Sequence, residues 1–313
     1  MKISVVIPVY NAEQFVRSAV VSALDQPETA EVILAEDNST DDSLVVCRSL
    51  EKEYSRVSLI RHSDGENHGA GATRNLGVRN ATMEYLAFLD ADDYYLADRF
   101  KVAAELFNMH ENIDGVYEAI GVCFEDEEAE NRWKSYENSN ITTLSKRVCP
   151  DKLCNLLLEG GKGTFSLDGL TVRKIIFEKC GFFFENLRLH QDYAMNIQMA
   201  QFGRLYPGRL NTPVAMRRVH AGNRIISDYN RYFTSSLLWK TLFNWAMENK
   251  LQTDRTIPIF LHHLYFIYCV VIDRHSGKGI DIQELRILIL EVLRHPILFI
   301  RALSEHFRRK TVR

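Results

Sequence analysis

The six cysteines of this 313-residue chain (Cys47, Cys123, Cys149, Cys154, Cys180 and Cys269) include no C-x-x-C pair and follow no regular spacing. A zinc ribbon and a disulfide framework are thereby excluded, and the pattern fits reduced thiols in a cytoplasmic protein. Charge of one sign is also missing, since 38 Lys and Arg stand against 41 Asp and Glu. No global field draws the chain to nucleic acid, and an anionic ligand must be met by a local site. A membrane-spanning run is absent too. The most apolar stretch, Ile257 to Ile272, falls short of the roughly 20 residues that cross a bilayer, contains His262 and His263, and reads as a packed helix. The N-terminal MKISVVIPVYNAEQF has no long apolar stretch ending in small residues, so it reads as a first strand rather than a secretory signal. With 46% apolar residues the chain can bury a sizeable core, and disorder is excluded.

Ile3 to Val9 is a β-branched run with almost no polar alternation, as in a strand covered on both faces of a parallel sheet. A helix follows, with Asn11 and Gln14 as its capping pair and Phe15, Val16, Ala19, Val20, Ala23 and Leu24 as its apolar stripe. Strands are predicted over Glu31–Glu36, Val57–Ile60 and Glu84–Leu89, and helices over Asp41–Tyr54 and Ala70–Ala81. This alternation builds right-handed βαβ units into an open, doubly wound sheet, whose ligands bind beyond the carboxyl ends of the strands. Glu125 to Ser145, acidic and then polar, reads as an irregular excursion, and the chain turns helical from Tyr229 onward.

Three polar sets fall at strand ends: Pro8 to Asn11, Glu36 to Asp41, and Asp90 to Asp93. Carboxylates gathered beside a diphosphate repel it unless a divalent cation lies between them, and hard oxygen ligands favour Mg2+ or Mn2+. The competing reading makes Asp90, Asp92 and Asp93 caps of a helix starting near Leu96.

The segments ISVVIPVYN, EDNSTDDS, NHGAGATRNLGVRNA, EYLAFLDADD and HQDYAMNIQMAQFG together resemble the inverting family 2 glycosyltransferases of GT-A fold, in order and spacing, over roughly residues 1 to 220. The resemblance implies a Rossmann-like, mostly parallel sheet flanked by helices, with a helical extension behind it. It places Pro8 and Tyr10 in the base pocket, Asp37 on the nucleobase, Arg74 on the phosphates with Asn75 behind it, Asp90 near the ribose, Asp92 on the metal and Asp93 in a supporting donor contact. Glu36 stands where the family often has a first aspartate. Within the same resemblance Asp168 and Gln191 become acceptor contacts, His220 a ligand of the metal or diphosphate, and Arg217 and Arg218 further phosphate contacts.

Inverting transfer needs a base for the acceptor hydroxyl on the face opposite the leaving diphosphate. Asp192, in the first turn of an apparent helix with Met195, Met199 and Phe202 on its buried face, is that candidate; a plain N-cap is the alternative. Two glycine-rich segments mislead. GAGATRN lacks the G-x-G-x-x-G spacing, and Gly160-Gly161-Lys162-Gly163-Thr164 lacks that of a phosphate loop, although it can shape an acceptor pocket.

The expected organisation is a glycosyltransferase domain over 1–224, with a donor half over 1–124 and an acceptor half over 125–224, and a helical region over 225–313. The expected reaction moves a sugar from a nucleotide diphosphate, a UDP-sugar, to a hydroxyl of a glycan or lipid-linked glycan in surface polysaccharide synthesis. A nucleotide-sugar-binding scaffold without transfer activity is the rival. A nucleotidyltransferase is a weaker one, because PVYNAEQF offers no basic glycine loop after the first strand. The tail, with Ile297, Leu298, Ile300, Leu303 and Phe307 among Arg294, Arg301, Arg308, Arg309 and Lys310, suits peripheral contact with an anionic inner membrane face, packing on the domain, or a homodimer.

Overall fold

The computed structural model describes residues 1–136, 139–160, 163–220, 222–223, 231–273 and 289–300. The chain divides into two compact units, 1–227 and 228–313. In the first, strands and helices alternate as β1 (Ile3–Val9), α1 (Val16–Leu24), β2 (Thr29–Glu36), α2 (Ser43–Glu53), β3 (Val57–Arg61), α3 (Ala70–Asn80) and β4 (Tyr85–Phe88). There follow β5 (Tyr94–Tyr95), α4 (Lys101–Met109), β6 (Gly115–Tyr117), β7 (Ile120–Phe124), α5 (Glu127–Tyr136), β8 (Ile141–Thr142) and α6 (Pro150–Glu159). A 3₁₀ turn at Leu167–Gly169 leads into β9 (Leu170–Arg173), and α7 (Ile176–Cys180), α8 (Gln191–Phe202), β10 (Leu205–Pro207) and β11 (Ala215–Val219) complete the unit.

The main sheet has seven strands in the order β10-β6-β9-β4-β1-β2-β3. It is parallel except for β9, which runs antiparallel to both β4 and β6. Every residue of β1 is buried except Pro8, which is half-buried, as expected for a strand covered on both faces. Its parallel register sets Val9 beside Glu36, so the ends of β1 and β2 open on the same crevice. The reversed strand matters equally. Ala87 lies opposite Thr171 in the β4–β9 ladder, so the residues just before β9 face those just after β4, and Asp168 comes to Asp90. A second sheet, β5-β11-β7-β8, brings the residues around β11 against the Asp-rich loop that precedes β5.

Three local expectations change. Asn11 does not cap α1, which starts at Val16 without a side-chain cap; with φ 51° it instead accepts from Thr40 N at 2.8 Å, tying the ends of β1 and β2 together. No helix starts near Leu96, because the Asp-rich loop enters β5 and the next helix begins at Lys101. The stretch 125–145 is not irregular throughout. Asp126 Oδ1 accepts from Ala129 N at 2.7 Å and caps α5, whose first turn holds Glu127, Glu128 and Glu130, while Trp133 packs with Val122, Ala129 and Val219.

The second unit contains α9 (Arg231–Glu248) and α10 (Thr253–Asp273), joined by buried Leu242, Phe243, Trp245, Ile257, Ile259 and Phe260. Buried His263 stacks on Phe243 at 5.7 Å, and desolvation lowers its pKa. No helix among the described residues is long and apolar enough to cross a membrane. Leu303, Phe307 and the basic residues from Arg301 to Lys310 lie outside the described residues, as do Gly161 and Lys162.

Candidate active site

Asp37, the residue after β2, is 2% exposed, and its carboxylate is spent on the loop that opens α3. Oδ1 accepts from His68 N at 2.8 Å, and Oδ2 accepts from Gly69 N at 2.8 Å and Asn67 Nδ2 at 3.0 Å. Three charge-assisted bonds to one loop fix its path. Neighbouring Glu36 pairs with Arg61 at 2.7 Å and accepts from Ser39 N at 2.6 Å, so it braces the β2 end rather than facing the crevice. Pro8 and Tyr10 sit at the end of β1, with Tyr10 on the surface at 36% exposure.

The loop hands over to α3, whose Arg74 is buried and donates from Nη2 to Asp90 Oδ1 at 2.5 Å. Desolvation opposes its charge, yet Asp90, Asp192 and Asp168 together hold its pKa above the ordinary value. Among the described residues its Nε and Nη1 find no hydrogen-bond partner, so two buried donors remain for a ligand. Asn75, one residue on, accepts from Phe183 N at 2.9 Å and donates to Phe183 O at 2.9 Å and Glu185 Oε1 at 3.0 Å.

The acidic residues separate into two groups. Asp90, Asp93 and Asp168 each bring a carboxylate oxygen within 4.8 Å of the others, and Asp168 Oδ1 accepts from Asp90 N at 2.9 Å. Burial, then repulsion from Asp90, pushes Asp168 up to about 6. Burial, then Asp168, Asp92 and Asp90, pushes Asp93 well above the ordinary aspartate value. Arg217 offsets part of the charge: burial opposes its protonation, but Asp93 and Asp168 hold its pKa up. Three hard carboxylate oxygens gathered this closely suit a divalent cation, whose charge would offset their mutual repulsion.

Asp92 belongs to the second group. Its Oδ2 accepts from Asn223 Nδ2 at 3.2 Å and lies 3.1 Å from His220 Nε2. Gly222 N donates to His220 Nδ1 at 3.2 Å, which leaves Nε2 as the nitrogen carrying the proton of the neutral ring, donating to Asp92. His220 and Asp92, the residues expected at a metal, thus stand side by side, and among the described residues the three carboxylates whose oxygens lie close enough together to hold a cation are Asp90, Asp93 and Asp168. Arg218 spans both groups, donating from N to Asp93 Oδ1 at 2.8 Å and from Nε to Asp92 O at 3.1 Å.

Asp192 lies in the first turn of α8, exposed, with Oδ1 accepting from Tyr193 N at 2.7 Å. Its charge reaches both Arg74 and Arg217, which puts it in the same crevice as the buried carboxylates. Gln191 packs against Gly71, where an added Cβ would meet its Cγ at 3.5 Å, and its buried Oε1 has no partner among the described residues. Asn67, the first residue of the NHGAGATRN segment, and Arg188 and Asn223, outside the segments that carry the resemblance, make bonds here that no sequence pattern announces, and Asp168, expected at the acceptor, bonds Asp90 and Ser166.

Known proteins share this architecture. The sequence matches the family described as Glycosyl transferase family 2 over residues 4–178. It is 28% identical to an uncharacterized glycosyltransferase of Rickettsia felis over 234 residues, 74% of this chain and 35% of that protein. It is 40% identical to the poly(ribitol-phosphate) beta-glucosyltransferase of Bacillus spizizenii over 97 residues, 30% of this chain and 15% of that one. The chain thus spans about a third or less of the length of these curated relatives. Among solved structures, S. aureus TarS 1–349 in complex with UDP-GlcNAc aligns with a TM-score of 0.64 at 18% identity, over 93% of this chain and 80% of that one. At that identity the likeness establishes the fold, a mixed α/β sheet flanked by helices of GT-A type. Matched over more than half its length, the chain belongs to glycosyl transferase family 2.

Proposed function

We propose that this chain is an inverting glycosyltransferase that moves a sugar from a UDP-sugar to a hydroxyl of a glycan or lipid-linked glycan during surface polysaccharide synthesis. The observation that carries the reading is one crevice with two kinds of carboxylate: the clustered Asp90, Asp93 and Asp168 at the strand ends, and exposed Asp192 in the first turn of α8, whose charge acts on Arg74 and Arg217. The first kind suits a cation and donor, the second an acceptor. The names of the relatives support a UDP-sugar and a cell-wall polymer as the substrates.

In this reading 1–124 carries the donor half and 125–224 the acceptor half. Pro8, Tyr10 and the Asp37 loop surround the base, and the free N–H groups of Arg74 meet donor phosphate oxygens. Mn2+ or Mg2+, held by Asp92 together with members of the Asp90, Asp93 and Asp168 cluster, would stabilise the negative charge of the departing diphosphate. Gln191 and Asp168 border the acceptor. Asp192 takes the proton of the acceptor hydroxyl as its oxygen bonds to the anomeric carbon; the bond from that carbon to the diphosphate breaks, and its electron pair leaves with the nucleotide. No second acid is required for that leaving group, unlike glycoside hydrolysis.

A nucleotide-sugar screen for thermal stabilisation with Mn2+, followed by donor hydrolysis, tests the reading without a known acceptor. UDP with Mn2+ should raise the melting temperature, and Asp192→Asn should keep that shift while lowering turnover by about 10² or more. Turnover close to wild type in this variant would remove Asp192 from the mechanism. UDP-independent stability in the parent protein would remove the donor site.

A further inference from the structure

The crevice carries a direct bridge between the donor side and the candidate base, and it runs through two residues with no assigned role. The Asn67 amide uses both ends: Nδ2 donates to Asp37 Oδ2 at 3.0 Å and to Asp37 O at 2.9 Å, while Oδ1 accepts from Arg188 Nη1 at 2.9 Å. Arg188 Nη2 adds a bond to Asn67 O at 3.2 Å, so the guanidinium grips one residue through two acceptors in a fixed fork. It also lies across Gly69, where φ is +86° and an added Cβ would meet Nη1 at 2.6 Å. That glycine supplies both the backbone conformation and the space.

Arg188 stands four residues before Asp192, in the segment that α3 also grips through Asn75 and Phe183. The connection is short: His190 adopts φ 63° and α8 begins at Gln191. Arg188 and Asp192 thus stand on one short stretch of chain, the first just before α8 and the second in its first turn. The Asp37 carboxylate binds the loop at Asn67, His68 and Gly69, and Arg188 binds it at Asn67.

We propose that Arg188 is a positioning residue, by which a nucleotide seated beside Asp37 sets the first turn of α8 and hence Asp192. This rests on the donor-site reading above. Without donor, Asp37 and Arg188 both hold residues 67–69; with donor, the loop stiffens, the Asn67–Arg188 bonds break less often, and the range of positions open to Asp192 narrows. A contact chain of this kind transmits coupling only if both ends bias the same element, and the loop 67–69 is that element.

Hydrogen–deuterium exchange with UDP and Mn2+ tests it, using the full chain. In the parent protein UDP should slow exchange both at 67–69 and at 188–194, the latter by at least about fivefold, the lower end of typical inter-site coupling. Arg188→Met should keep protection at 67–69, with UDP affinity within about threefold, and lose it at 188–194; Arg188→Lys, which restores one donor, should recover part of it. Arg188 is exposed, so the fold should tolerate both changes, and a melting curve checks this. A merely structural role would change both segments together, with and without UDP. Protection at 188–194 that survives Arg188→Met overturns the proposal, as does a parent protein in which UDP protects 67–69 alone. UDP that protects neither segment overturns the donor reading, and the proposal with it.

Discussion

Replacing Asp168 by Asn should stabilise the fold while disabling the site, and the size of the effect follows from the burial of the residue. Asp168 is 1% exposed, and burial together with Asp90 pushes it to about 6, roughly two units above an ordinary aspartate. Two units correspond to about 3 kcal/mol. The sign runs against the usual carboxylate. Because the folded pKa is raised, the native state binds more protons than the unfolded chain between about pH 4 and 6, and stability falls as pH rises through that window. By about pH 7 the whole penalty is present. Asn does not titrate, and its Oδ1 can still accept from Asp90 N as the aspartate does at 2.9 Å.

The variant and parent should therefore melt nearly together at pH 4, and the variant should gain progressively to pH 7.5. For the first unit, residues 1–227, 1 kcal/mol moves the melting temperature by about 2 to 4 °C, so the expected gain is roughly 6 to 12 °C. Calorimetry in metal-free buffer at several pH values measures it. Mn2+ should stabilise the parent above pH 6 and the variant much less, since one of three clustered carboxylates is gone. A variant that is less stable than the parent at pH 7.5, or a gap independent of pH, would refute the argument that Asp168 is held at an electrostatic cost.

Asp92→Asn should weaken Mn2+ and UDP binding together in a titration, whereas Asp192→Asn should leave both within about threefold and lower turnover by about 10² or more. Arg99, with 0% exposure, pairs with Glu118 at 3.2 Å and donates from Nε to Asp168 O at 3.0 Å; Arg99→Met leaves buried Glu118 with Arg209 alone, at 3.4 Å, and should cost about 3 kcal/mol in a denaturant midpoint. In the second unit, exposed Ile289, Leu293, Ile297 and Ile300 make an apolar stripe before a basic sequence. Truncation after residue 288 should abolish co-sedimentation with anionic vesicles, and unchanged binding would assign that stripe to the domain or a second copy.

The sequence disclosed what depends on periodicity and on strand ends. Parallel strands buried on both faces write apolar runs such as Ile3 to Val9, and the topology then places Asp37 and Asp90 without further information. It could not disclose which carboxylates meet. Asp92 is adjacent to Asp93 in the chain, yet Asp92 goes to His220 and Asn223 while Asp93 joins Asp168, 75 positions away. That partition depends on β9 running antiparallel beside β4 and on β11 crossing from the second sheet, and neither direction is encoded in a local pattern. The same holds for the glycine loop. Its residues look like a phosphate cradle, but the only carboxylate bound by its backbone is Asp37 among the described residues, and the cation it presents is Arg74. The N–H groups of His68 and Gly69 are spent on that carboxylate. In the proposed reading the two unpartnered nitrogens of Arg74 are buried side-chain donors for the donor diphosphate.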